Sequence, residues 1–125
     1  MPKDSRPVFL NLLQIKFPVT AMISIGHRVS GLFMFLSLPA WLYTMTQALQ
    51  SPESFARVAE CFSYSSTKVF IFVSILATWY HVFAGVRHLI MDFGFYESLK
   101  AARITAFIVL VLTLISFCFL WAKLL

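Results

Sequence analysis

Three long apolar stretches dominate the chain, and short polar connections separate them. Between Arg28 and Glu53, for example, no acidic or basic side chain occurs. A helix of about 20 residues crosses about 30 Å of hydrocarbon, so each apolar stretch is long enough to span a membrane. The predicted transmembrane helices comprise about residues 20–47, 68–91 and 103–122.

The polar connections are predicted to lie at the membrane surfaces. Residues 1–19 form a cytoplasmic arm and interfacial segment, in which residues 8–15 are apolar enough to lie on the membrane. The SPES sequence at 51–54 resembles a helix start with a capping Ser, so a short surface helix is predicted there. Gly94 is expected to end the second span. Residues 1–125 are thus interpreted as a single membrane domain.

Composition points to an all-α integral membrane protein. Hydrophobic residues make up 60% of the chain and charged residues 12%, whereas about 25% of a soluble domain is charged. The net charge of +5 comes from scattered Lys and Arg residues, which argues against a nucleic-acid-binding surface. Three spans place the N-terminus and the connection after the second span on the same side of the membrane. More of these cations lie on that side, so the positive-inside bias predicts a cytoplasmic N-terminus. The chain has no CxxCH motif, which excludes a covalently attached c-type haem.

Polar residues near the start of the first span form one candidate site. In the sequence SIGHRVSG at 24–31, Ser24, His27 and Arg28 share one helix face. The Ser24 hydroxyl and the Arg28 guanidinium could hydrogen-bond a quinone carbonyl, a carboxylate or a lipid phosphate at the membrane edge. In the alternative interpretation, Arg28 reaches lipid headgroups and Ser24 hydrogen-bonds its own helix backbone.

A second candidate site lies at the end of the second span, in the sequence YHVFAGVRHLIMD at 80–92. Ionisable side chains are costly at membrane depth, so each of them predicts a function. His81, Gly85 and His88 share one face, with His81 about 10 Å deeper than His88. The His81 imidazole must satisfy its nitrogens, either by haem or metal ligation or by an interhelical hydrogen bond.

Arg87, His88 and Asp92 lie nearer the predicted interface. Cationic side chains there could pair with haem propionates, and Asp92 could either pair with Arg87 or relay protons. A six-coordinate haem needs two axial ligands. Because only His81 is deep, the second ligand is expected from another subunit.

Three stretches of the chain resemble the cytochrome b556 family of membrane anchors of succinate dehydrogenase, the succinate:quinone oxidoreductase of respiratory complex II. They are RPVFLNLLQIKFPVTA at 6–21, SIGHRVSG at 24–31 and HVFAGVRHLIMD at 81–92. The family patterns S-x-x-H-R-x-S-G and H-x-x-x-G-x-R-H-x-x-x-D are both complete. The length and the three-span plan agree along the whole chain.

The resemblance implies three transmembrane helices that form part of a heterodimeric helical bundle with a second small anchor subunit. A b-type haem is expected between the two anchors, and ubiquinone is expected as the substrate reduced beside them. A flavoprotein subunit with FAD and an iron–sulfur subunit oxidise succinate, so the dehydrogenase active site is expected on those partners and no catalytic residue on this chain. The complex is expected in the lipid of a bacterial-type cytoplasmic membrane.

The resemblance also implies roles for single residues. His81 is the expected axial haem ligand from this chain, and Ser24, Arg28 and Asp92 are expected at the quinone site. The expected contacts to the haem propionates are His27, Arg28 and His88.

Three other functions stay open. An anchor of a quinol:fumarate reductase would run the reverse reaction with menaquinone, and the deep His81 argues against the haem-free anchors of that kind. A small proton-conducting transporter subunit would use His81 and Asp92 as a proton path. A purely structural assembly subunit would need neither Ser24 nor Arg28.

Overall fold

The computed structural model describes residues 16–124, which form four helices. In chain order they are α1 (Val19–Ala48), α2 (Pro52–Cys61), α3 (Ser65–Asp92) and α4 (Leu99–Leu124). No strand occurs within this part of the chain, in agreement with the all-α prediction. Most of the predicted N-terminal arm, including the apolar residues 8–15, lies outside the described residues.

α1, α3 and α4 are each long and apolar enough to cross a membrane. Their 26 to 30 residues correspond to helices of about 40 to 45 Å, which exceeds the hydrocarbon thickness of about 30 Å. The helices are longer than the predicted spans, chiefly at their starts. α3 begins at Ser65 and α4 at Leu99, because the added turns carry Ser, Thr and Lys side chains that suit the membrane interface.

A capping box starts α2. The Ser51 hydroxyl accepts a hydrogen bond from the Ser54 amide (3.1 Å), and the Ser54 hydroxyl accepts one from the Ser51 amide (3.0 Å). Pro52 occupies the first turn, where a backbone N–H is not needed. Hydrogen bonds from its own backbone and from the Ser51 side chain lower the pKa of Glu53, which keeps a negative charge at the positive end of the helix dipole. The helix predicted from the SPES sequence is confirmed.

A glycine in the left-handed conformation ends α3. Gly94 has a φ of 84°, and its amide donates to the Met91 carbonyl at 2.9 Å. Glycine adopts this conformation without the steric conflict that a Cβ would cause. The predicted helix stop is therefore confirmed, and the short connection after it leads into α4.

Small and branched apolar residues build the centre of the bundle. Ile23, Ala84, Ala106 and Val109 form the buried core, and both alanines are 0% exposed. Small side chains let helix backbones approach closely, which is important in a membrane because lipid is as apolar as the helix surfaces. α3 packs against both α1 and α4, so its residues serve two different helix contacts.

Arg87 connects α3 to α4. The side chain is only 6% exposed. Its Nε donates to the Thr105 hydroxyl at 3.1 Å, and its Nη2 donates to the Ala102 carbonyl at 3.1 Å. The Arg87 guanidinium of α3 thus hydrogen-bonds α4. The alternative of an Arg87–Asp92 ion pair is not the arrangement in the structure.

We expect Thr105→Val to destabilise the contact between α3 and α4. The substitution keeps the side-chain shape but leaves the buried Nε of Arg87 without its acceptor, which costs about 1 to 3 kcal/mol. Thr113→Val is the matched control, because the Thr113 hydroxyl donates to a carbonyl of its own helix, that of Val109, at 2.8 Å. Thermal unfolding of the detergent-solubilised protein measures both effects. Equal losses of stability in the two variants would contradict a specific contribution from the Arg87–Thr105 bond.

Candidate functional site

Three histidines from α1 and α3 form a cluster. The rings of His27 and His81 are stacked, with centroids 4.0 Å apart and an interplanar angle of 21°. The rings of His27 and His88 lie 5.2 Å apart at 51°. Because His81 and His88 lie two turns apart on one face of α3, the His27 ring of α1 contacts both. The fold therefore brings together three residues that the sequence places in two separate motifs.

The Nδ1 atom of His81 faces two oxygens of α1. It lies 3.0 Å from the His27 carbonyl oxygen and 3.1 Å from the Ser30 hydroxyl oxygen. A carbonyl oxygen can only accept, so Nδ1 carries the proton and donates, and the lone pair of the ring is then on Nε2. Haem ligation and an interhelical hydrogen bond are thus not exclusive alternatives for His81. The hydrogen bond uses one nitrogen and leaves the other with the lone pair that a metal ligand requires.

Glycines make this close approach of α1 and α3 possible. A Cβ on Gly31 would lie 2.8 Å from the Cε1 atom of His81, and a Cβ on Gly85 would lie 3.1 Å from the Nε2 atom of His27. Both distances are shorter than an ordinary carbon contact of about 3.5 to 4 Å. Gly85 of α3 therefore makes room for the His27 side chain of α1.

Tyr80 is a contact residue that the sequence analysis missed. Its hydroxyl donates to the Ile23 carbonyl at 3.0 Å, and a Cβ on Gly26 would overlap that hydroxyl. Ser30 was also not assigned a role, although it is part of the SIGHRVSG sequence. In the sequence, Tyr80 directly precedes His81 and Ser30 lies one turn after His27. Only the packing of the two helices shows what each side chain contacts.

Ser24 and Arg28 lie on α1 one turn before and one residue after His27. Ser24 is half-buried and Arg28 is exposed. Among residues 16–124 the Ser24 hydroxyl makes no hydrogen bond, whereas the hydroxyls of Ser30 and Ser37 donate to carbonyls of their own helix. The alternative in which Ser24 hydrogen-bonds its own backbone is therefore not the arrangement in the structure.

Asp92 is exposed and lies at the end of α3, one turn after the half-buried His88. α1 and α3 run antiparallel, because His27 meets Gly85 while later residues of α1 meet earlier residues of α3. This register places Asp92 near the start of α1, about one turn from the level of Ser24. Both candidate sites thus lie toward the same end of the bundle.

The donor set fits one axial position of a haem. Among the described residues, no three His, Cys, Asp or Glu side chains converge as a site for a free metal ion. An axial position, however, needs only one imidazole nitrogen whose other nitrogen is held by a hydrogen bond. His81 meets this requirement, since its Nδ1 is held by α1.

The chain matches a family model over residues 2–120, and that family is described as the succinate dehydrogenase/fumarate reductase transmembrane subunit. It is 41% identical over 112 residues to a Coxiella burnetii protein named succinate dehydrogenase cytochrome b556 subunit, with 89% of this chain and 90% of that protein covered. The Paracoccus denitrificans protein of the same name is 28% identical over 122 residues (92% and 94% covered). A Reclinomonas americana protein named succinate dehydrogenase cytochrome b560 subunit is 27% identical over 122 residues (94% and 85% covered).

We expect Gly26→Ala to weaken the contact between α1 and α3, because the added methyl group would overlap the Tyr80 hydroxyl and lie 2.9 Å from its Cζ atom. Tyr80→Phe removes that hydroxyl together with its hydrogen bond. The double variant should therefore be more stable than the two separate losses predict, since neighbouring residues couple. Thermal unfolding of the single and double variants measures the coupling. Strictly additive losses would contradict the described close approach.

Proposed function

The chain belongs to the family of succinate dehydrogenase/fumarate reductase transmembrane subunits, and on that premise we propose that it is a membrane anchor of succinate dehydrogenase. In this proposal it binds a b-type haem together with a second anchor subunit and forms part of the site at which ubiquinone is reduced. Electrons from succinate oxidation reach the membrane through a flavoprotein subunit and an iron–sulfur subunit. The names of the relatives, which are cytochrome b subunits of succinate dehydrogenase, support the proposal.

The single observation that carries the proposal is the hydrogen bond at Nδ1 of His81. It identifies Nε2 as the nitrogen with the lone pair, and it holds the His81 ring of α3 against α1. Such a bond orients an axial ligand and raises its basicity. When bound, a b-type haem supplies a site that stores one electron. We assign its axial ligand from this chain to His81.

Cationic and neutral polar side chains around His81 suit the haem propionates. His27 stacks on His81, and His88 lies two turns nearer the end of α3. Arg28 is the next residue of α1 after His27 and is exposed. Propionates are carboxylates, and an Arg guanidinium binds a carboxylate with charge-assisted hydrogen bonds. We therefore assign contacts to the propionates to His27, Arg28 and His88.

Reduction of ubiquinone takes up two electrons and two protons, so the site needs hydrogen-bond donors and access to water. Among residues 16–124 the Ser24 hydroxyl makes no hydrogen bond, so it can donate to a quinone carbonyl. The fixed positive charge of Arg28 stabilises negative charge that develops on a quinone oxygen. Asp92 is exposed at the same end of the bundle, where a carboxylate can pass protons from water. We assign these three residues to the quinone site.

The same proposal places the N-terminus and the connection between α3 and α4 in the cytoplasm. This orientation follows from the excess of Lys and Arg on that side. It puts the quinone site on the side where water-soluble partner subunits would deliver electrons. The family match over residues 2–120 favours a membrane anchor over a small proton-conducting transporter. A succinate dehydrogenase anchor differs from a fumarate reductase anchor in the direction of the reaction.

We expect Ser24→Ala to slow quinone reduction by about tenfold, which corresponds to the loss of one hydrogen bond of about 1.4 kcal/mol. Succinate oxidation with an artificial water-soluble acceptor should continue, because that reaction does not need the quinone site. Ser37→Ala is the control, since Ser37 is a buried serine of α1 about 20 Å further along the helix. Steady-state assays of the intact complex with both acceptors measure the effect. A parallel loss of both activities would count against the assignment of Ser24.

We expect His81→Leu to weaken or remove haem binding, because leucine fills the space but offers no lone pair for iron. A reduced-minus-oxidised visible spectrum of the purified membrane complex measures the haem. His88→Leu is the matched control, since His88 is assigned to the propionates and its loss should leave the axial ligand in place. An unchanged haem content and spectrum in His81→Leu would show that the ligand is another residue.

A further inference from the structure

The geometry points to a role for Ser30: we propose that its hydroxyl is a positioning group that, next to the His27 carbonyl that already sets the tautomer, is a second acceptor for the Nδ1–H of His81 and fixes the ring orientation. This inference rests on the proposed function, in which His81 is the axial ligand. Ser30 lies on α1 one turn after His27 and is separate from the residues assigned to the quinone and to the propionates.

The Ser30 hydroxyl is buried at the contact between α1 and α3, and the residue is 7% exposed. The hydroxyl donates to the His27 carbonyl at 2.8 Å, and its oxygen lies 3.1 Å from the Nδ1 atom of His81. Because the hydroxyl hydrogen is directed at the carbonyl, a lone pair of the hydroxyl oxygen faces Nδ1. The N–H of His81 is therefore shared by two acceptors, the Ser30 oxygen and the His27 carbonyl oxygen.

Two acceptors define the orientation of the ring better than one. With a single acceptor, the imidazole could tilt about the hydrogen bond. Here the Ser30 hydroxyl donates a hydrogen bond to the His27 carbonyl oxygen, so the two oxygens keep a fixed spacing and Nδ1 lies against both. The backbone at Gly31 borders the ring next to this edge, since a Cβ there would lie 2.8 Å from Cε1 of His81. We call the His27 carbonyl, the Ser30 hydroxyl and the Gly31 backbone the histidine seat.

The histidine seat has a consequence for the chemistry of an iron ligand. Acceptors at Nδ1–H draw the proton partly away from the ring and make Nε2 a stronger donor. A stronger donor stabilises ferric over ferrous iron, and axial ligation with its hydrogen bonds is a main determinant of haem potential. Removing the Ser30 oxygen should therefore raise the midpoint potential while the bond to the His27 carbonyl still holds His81.

The test is a redox titration of the visible haem spectrum in the intact membrane complex. Ser30→Ala should retain haem and shift the midpoint potential upward. Ser30→Thr keeps the hydroxyl and should restore the parent potential. Ser37→Ala is the matched control, because Ser37 is a similarly buried serine of α1 (8% exposed) that donates to its own helix at the Met34 carbonyl (2.9 Å). It should leave the potential unchanged.

Several results would overturn the inference. One is a parent-like potential in Ser30→Ala, and another is an equal shift in Ser37→Ala, which would indicate a general effect of losing a buried hydroxyl. A Ser30→Thr variant that shifts as far as Ser30→Ala would also overturn the inference, because the retained hydroxyl would then make no difference to the potential. If Ser30→Ala does not assemble, Ser30→Cys replaces the oxygen with a weakly accepting sulfur at similar volume. It should also raise the potential, and a parent-like value there overturns the inference.

His81→Leu separates a failure of this inference from a failure of the proposed function. Loss of haem in His81→Leu together with a parent-like potential in Ser30→Ala would reject the role of Ser30 and leave the ligand assignment standing. Unchanged haem in His81→Leu would reject the ligand assignment itself, and with it the reason for any effect of Ser30.

Discussion

The close contact between α1 and α3 is the constraint on which the rest of the structure depends. Gly26, Gly31 and Gly85 each stand where a Cβ would crowd an aromatic or imidazole ring of the other helix. In lipid there is no hydrophobic force that drives two apolar helices together, so close packing and interhelical hydrogen bonds must hold them. Tyr80 and His81 supply those bonds at adjacent positions of α3.

Both of these hydrogen bonds end on backbone carbonyls of α1. A carbonyl oxygen can accept more than one hydrogen bond, so it can keep its bond within its own helix and also accept from a side chain of a neighbouring helix. Polar side chains of α3 are thereby satisfied at membrane depth without interrupting α1, which continues as one helix from Val19 to Ala48. On the opposite contact, the Ala102 carbonyl of α4 accepts from Arg87 in the same way. Tyr80, His81 and Arg87 of α3 thus each donate to a main-chain acceptor on a neighbouring helix.

Local patterns in the sequence predict the helices and their ends well. The apolar stretches predict α1, α3 and α4, and the caps of α2 and α3 follow from Ser51 and Gly94, whose roles depend on neighbours within a few residues. The helix starts are less predictable, because hydropathy identifies the apolar centre of a span and not the polar turns that extend it. The period of the helix also predicts that His81 and His88 share a face.

Contacts between helices could not be predicted from these patterns. The acceptors of Arg87 lie 15 and 18 residues away on α4, and the acceptors of His81 lie 51 and 54 residues away on α1. Which side chains meet depends on the crossing and register of the helices, and the packing of all four sets these. Ser30 is therefore visible in the sequence only as one small residue of a motif, whereas its position beside Nδ1 gives it a specific chemistry.

One of the two acceptors of His81 is the main-chain carbonyl of residue 27, which is present whatever side chain that residue carries. A substitution of His27 changes what the side chain contacts, but the main-chain carbonyl remains. An exchange at position 30, in contrast, removes or keeps an oxygen directly. Residue 27 thus has two roles, one of its imidazole and one of its carbonyl. A substitution can remove the first and keep the second.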